Sequence, residues 1–159
     1  LTLTKESKEK WLLSNSSHVI DTVFSIIGLP DKNRWDSFIS GHSKWHPSGM
    51  QFTGAGISKK NIPFSYFANW DAPGRWGIEL CTSQKRYLLQ PMEELYEMNL
   101  GKFCYEKIPF KKSIEDEFKP GLLMQCDAFL KQEFSHYNIC TLEEQIEAFD
   151  IYNKIAGYS

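Results

Sequence analysis

The chain has 159 residues and a formal net charge of −2, with acids and bases interspersed. That length fits one domain of ordinary size, and the balanced charge leaves no electrostatic footprint for nucleic acid or an anionic membrane surface. Five Trp, seven Tyr and eleven Phe supply enough aromatic area for a core and for a binding face or subunit interface besides.

A first helix is expected over about residues 15–27. Asn15 or Ser16 suits its N-cap. Val19, Ile20, Val23, Phe24 and Ile27 recur at helical spacing, and Gly28 followed by Pro30 ends the pattern. From Arg34 to about Phe110 the pattern changes to short aromatic or β-branched runs: 35–39, 50–57, 62–70, 76–82, 85–90 and a strand within 95–108. Turn residues separate them, including His46-Pro47-Ser48-Gly49 and Lys59-Lys60-Asn61. Phe64, Tyr66, Ala68 and Trp70 alternate with Ser65, Phe67 and Asn69, the pattern of a sheet covered by helices on one side. Helices return after Lys119-Pro120, with an apolar stripe of Leu122, Leu123, Cys126, Phe129, Leu130 and Phe134. Thr141-Leu142-Glu143-Glu144 reads as a capping box ahead of Ile146, Phe149, Tyr152 and Ile155. A helix, a run of strands and two helices predict an α+β fold: an open, mostly antiparallel sheet with helices packed on one face.

Cys81, Cys104, Cys126 and Cys140 are far apart, with no C-x-x-C and no histidine cluster. Disulfides and metal are therefore not expected, and a reduced, cytoplasmic setting is. The longest apolar run, Val23 to Leu29, is broken by Ser25 and Gly28 and is too short to span a membrane. No G-x-G-x-x-G, P-loop or G-x-S-x-G occurs. Gly54-Ala55-Gly56 falls inside a strand, where close backbone approach or a bulge is the expected meaning.

The chemistry-bearing stretch is Asn15-Ser16-Ser17-His18-Val19-Ile20-Asp21. Residues three apart share a helix face, so Asp21 can orient and charge-stabilise the His18 imidazole as a proton-transfer group. Asp21 also suits the dipole at a helix start. His46, in the Trp45-His46-Pro47 loop, either contacts a ligand or lies exposed in a turn. Asn69-Trp70-Asp71-Ala72-Pro73-Gly74-Arg75-Trp76-Gly77 reads as a tight hairpin flanked by two Trp. Arg75 there can clamp a carboxylate or phosphate, or stack on a neighbouring ring.

These stretches, taken with Ala68-Asn69-Trp70 and Ala72 to Gly77, resemble the C-terminal domain of the glucose–fructose oxidoreductase / inositol dehydrogenase / MocA family over nearly the whole chain. The resemblance implies a dihydrodipicolinate-reductase-like C-terminal domain, with the family's N-terminal Rossmann domain and its E-K-P lysine absent from these 159 residues. It implies hydride transfer between NAD or NADP, bound by the missing half, and a sugar, cyclitol or sugar derivative. This chain would bind no cofactor and would be inactive alone. His18 matches the histidine that takes part in proton transfer, and Asp21 the acidic residue after it. One turn before the histidine many members carry aspartate, where this chain has Ser14 with Asn15 next. Residues 1–159 are thus expected to be one substrate-binding and oligomerisation domain of a longer oxidoreductase, with Asn15, His46, Trp70 and Arg75 lining the substrate site. Sheet-mediated pairing into a homodimer or higher homo-oligomer is expected, with no nucleic-acid or membrane partner. The rival readings are a non-catalytic dimerisation or interaction module working through its open sheet face, and a self-sufficient binder or hydrolase that lacks a recognisable nucleophile.

Overall fold

The computed structural model describes residues 4–109, 121–133 and 139–158. The chain folds as two compact units, residues 1–74 with 146–159, and residues 75–145. Helices and antiparallel sheets are both present, as an α+β fold requires. The strands differ from the expected single sheet: they form one sheet of three and another of four.

The first unit opens with helix α1 (Lys5–Glu9), where Thr4 caps by accepting from the Ser7 N–H at 3.1 Å. A π-helical turn, Leu12–Ser16, leads into α2 (Ser17–Ile27). Helical structure therefore starts upstream of the Asn15 or Ser16 cap expected from sequence. Gly28 ends α2 at φ 81°, with its N–H on the Phe24 carbonyl at 2.8 Å. That conformation suits a residue without Cβ.

Strands β1 (Pro30–Ser40), β2 (Gln51–Ser58) and β3 (Pro63–Asn69) pair antiparallel in sequence order. Phe24 of α2 meets Phe64 of β3 edge-on at 5.4 Å between ring centres, and Trp35 of β1 lies 6.4 Å from Phe64. Phe52 and Trp35 are buried on this inner face. The outer face carries the row Phe38, Thr53 and Phe67, aligned across all three strands by the register, with the two phenylalanines 63% and 73% exposed.

Two glycines of β2 exist for close approach. The register places Gly54 between Ser37 and Tyr66, and the Tyr66 hydroxyl crosses it to donate to Ser37 at 2.6 Å. Gly56 faces Trp35, beside the irregularity in the β1–β2 register, and a Cβ there would collide with Trp35 Cβ.

In the second unit β4 (Ile78–Cys81), β5 (Lys85–Leu89), β6 (Leu95–Asn99) and β7 (Glu106–Ile108) form an antiparallel meander. Because β3 and β4 belong to different sheets, the 69–77 segment is a connection rather than the tight hairpin expected. Asn69 starts it with an Asx turn, its side-chain oxygen accepting from the Asp71 N–H at 3.0 Å, and Pro73 has no N–H to offer a ladder. Helix α3 (Leu122–Lys131) follows. Its buried residue is Ala128, while Leu122, Leu123, Phe129 and Leu130 are exposed, so the expected stripe is not a core face. Lys119, Pro120 and Phe134 of that expectation lie outside the described residues.

Helix α4 (Leu142–Ala156) begins with the expected capping box: Thr141 Oγ1 accepts from the Glu144 N–H at 3.2 Å, and Glu144 accepts from the Thr141 N–H at 2.8 Å. From Ile146 onward it belongs to the first unit. Its buried stripe is Ala148, Ile151, Tyr152, Ile155 and Ala156, rotated from the expected one so that Ile146 and Phe149 are exposed.

Replacing Gly56 by Ala is expected to destabilise the chain by about 1–3 kcal/mol through overpacking against Trp35. Gly74→Ala, where an added Cβ meets nothing within 4 Å, is expected to stay within about 0.5 kcal/mol of wild type. Urea unfolding checks both, and equal midpoints for the two variants would contradict the packing argument.

Candidate functional site

His18 stands exposed on α2. Asp21, one turn on, is half-buried and accepts a hydrogen bond from the Tyr152 hydroxyl of α4. Burial raises the Asp21 pKa above its usual 3.8, and the His18 charge partly opposes that rise. His18 and Asp21 thus lie one turn apart on α2, and a second element holds the carboxylate. Asn15 lies half-buried on the π-helical turn that precedes α2, three residues before His18. Such turns are rare and occur mostly as single turns within α-helices.

His46 corrects both sequence expectations, since it is neither an exposed turn residue nor open to a ligand: it is 2% exposed. Its ring lies edge-on to Trp70 at 4.8 Å and to Phe52 at 5.6 Å, and Trp45 stacks on Trp70 at 5.6 Å. Nδ1 is 3.2 Å from the Gly49 carbonyl, which only accepts, so Nδ1 carries the proton. Nε2 then accepts from the Tyr158 hydroxyl at 3.0 Å, and that hydroxyl accepts from the Leu12 N–H at 3.2 Å. Burial lowers the His46 pKa below 6.5; the Gly49 bond opposes this, and Lys10 adds to it. This histidine is a neutral structural tie.

Trp70 thus belongs to a packed aromatic cluster and is half-buried. A groove of about 450 Å³ opens beside that cluster, lined by Lys10, Ile39, Pro47, Ser48, Gly157 and Tyr158. Its wall is knitted internally: Ser48 Oγ donates to the Gly157 carbonyl at 3.1 Å, and Lys10 Nζ sits 4.3 Å over the Tyr158 ring. Arg75 is exposed and belongs to the second unit, so within the first unit the structure gathers His18 with Asp21 and His46 with Trp70. Both gatherings depend on tyrosines of the C-terminal segment, Tyr152 and Tyr158. Neither was singled out from sequence as a functional residue. The only signal was the place of Tyr152 in the apolar stripe of α4.

Among the described residues no three His, Cys, Asp or Glu side chains gather as a metal site would need. All four cysteines are exposed and none is in a disulfide, and no described helix is long and apolar enough to cross a membrane. Set against protein-family models, curated proteins and solved structures, the chain finds no match.

The lowered His46 pKa has a defined consequence for stability. Below about pH 6.5 the unfolded chain takes up a proton that the folded His46 refuses, so stability falls with pH by at most about 1.4 kcal/mol per unit for this one group. Asp21 has the opposite sign: its raised pKa favours the folded state in acid, and that contribution fades as pH rises through it. The His46 contribution is isolated by comparing wild type with His46→Gln in urea at about pH 7.5 and about pH 5.5. Wild type is expected to lose more stability across the interval, and parallel losses would contradict the assignment.

Proposed function

We propose that this chain is the substrate-binding and oligomerisation domain of an NAD(P)-dependent oxidoreductase acting on a sugar, cyclitol or sugar derivative. The observation that carries the reading is the His18–Asp21 pair: an exposed imidazole on α2 beside a half-buried carboxylate that is tethered by Tyr152. A proton-transfer group needs exposure to solvent and a polar neighbour to orient it; the exposure of His18 and the position of Asp21 one turn on support that role. Hydride loss from an alcohol carbon leaves a hydroxyl proton to be removed. His18, in its neutral form, is the group that takes it, and Asp21 stabilises the imidazolium that results. Asn15 adds an amide able to bond a substrate hydroxyl. NAD or NADP belongs to a partner domain and supplies the hydride acceptor.

His46 drops out of the substrate contacts, because both of its ring nitrogens are engaged and it is buried. Trp70 acts by shaping the cluster around it. In a longer polypeptide that carries the dinucleotide-binding half, His18→Asn is expected to lower kcat by roughly 10²–10⁴ with KM little changed. Unchanged kcat would remove His18 from the chemistry.

One observation favours an interaction role alongside. The Phe38–Thr53–Phe67 row presents two largely exposed aromatic rings on an open sheet face, and such apolar patches mark interfaces. Light scattering is expected to give a dimer that Phe38→Glu with Phe67→Glu converts to monomer. A wild-type monomer would contradict this role.

A further inference from the structure

We propose that Tyr152 is a positioning residue for His18 and acts through Asp21. The inference rests on the proposed role of His18 as the proton-transfer group.

Tyr152 is 1% exposed, and its ring belongs to the buried stripe of α4. Its hydroxyl donates to one carboxylate oxygen of Asp21. The donor comes from 131 residues away in sequence, so it reports the tertiary fold rather than local helix geometry. A buried phenol needs a partner, and this one has Asp21. The hydroxyl therefore does something that the ring does not. It holds a carboxylate that burial is driving toward its neutral form, and a hydrogen bond to the charged form counters that drive. The anion then stays on the helix face shared with His18, whose charge already acts on Asp21. Of the groups packed here, α2 contributes His18 and Asp21 and α4 contributes Tyr152. His18 is the charged group that acts on the carboxylate. Without the hydroxyl the carboxylate either takes a proton or turns to water, and in both cases His18 loses its fixed counter-charge.

An NMR comparison of the full chain at one fixed pH reads the proposal directly. The His18 imidazole resonances are identified by their loss in His18→Gln. Asp21→Asn is expected to displace them. Tyr152→Phe keeps the ring in its slot and is expected to displace them in the same direction. Combining the two substitutions is expected to add nothing further. Wild-type His18 resonances in Tyr152→Phe, with those of Asp21→Asn displaced, overturn the proposal; so does an Asp21→Asn chain whose His18 resonances do not move. A second readout leaves Tyr152 in place and serves if Tyr152→Phe does not fold. The Tyr152 Cζ resonance of wild type is expected to follow the titration of the Asp21 carboxyl and to lose that step in Asp21→Asn, and a flat Cζ response overturns the proposal. Neither readout requires turnover. A chain that shows the coupling yet supports no hydride transfer contradicts the oxidoreductase reading, and leaves Tyr152 as the residue that holds Asp21 beside His18.

Discussion

The first unit closes because the last helix returns to the first strands. From Ile146 onward α4 lays Ala148, Ile151, Tyr152, Ile155 and Ala156 into the core. Its polar groups then tie down the segments around it. Tyr152 reaches Asp21 on α2, Lys154 donates to the Trp35 carbonyl at 3.0 Å while sitting 4.0 Å over that ring, and Tyr158 joins Leu12 to His46. These bonds span separations of 112 to 146 residues. They are therefore contacts that carry a large loop-closure entropy. Alanines at 148 and 156 leave room for the helix to lie close. The tyrosines supply what apolar side chains cannot, a hydroxyl at the end of a buried ring.

Two histidines of one unit acquire opposite characters from this arrangement. His46 is buried among Trp45, Phe52, Trp70 and Tyr158, has both nitrogens bonded and stays neutral. His18 stays exposed on α2, with the Asp21 carboxyl one turn on. Environment rather than residue type separates the buried, fully bonded histidine from the exposed one. The same C-terminal segment sets both environments, through tyrosines six positions apart. The aromatic cluster around His46 thus fixes the scaffold, while the α2 face carries the proposed chemistry.

Much of the fold was legible because it is written locally. The β2 and β3 runs, the Lys59-Lys60 turn, the Gly28 stop and the Thr141 capping box all depend on neighbours a few residues apart, and each is found where the pattern placed it. Gly54 and Gly56 were readable as close approach, although the partners Tyr66 and Trp35 were not. What failed to show depends on distant segments. The burial of His46 follows from Tyr158, more than a hundred residues away. The division of the strands into two sheets follows from how the 69–77 connection runs, since its Pro and Gly residues suit a hairpin turn as well as a linker. The helical start before Asn15 was hidden because α1 buries no side chain and so has no apolar stripe to read. Of the candidate site, the His18–Asp21 spacing was local and legible. The tether from Tyr152 was not, because a tyrosine in an apolar stripe looks like packing.

Sequencing the coding DNA immediately upstream of the Leu1 codon tests the proposal that residues 1–159 serve as the substrate half of a dinucleotide-dependent oxidoreductase. The expected result is an in-frame segment with a strand pattern leading into G-x-G-x-x-G, followed further on by E-K-P, whose backbone and lysine would hold the dinucleotide and share the proton transfer with His18. A stop codon with a start site at or near Leu1 would contradict it and leave the open sheet face as the working surface of a stand-alone domain.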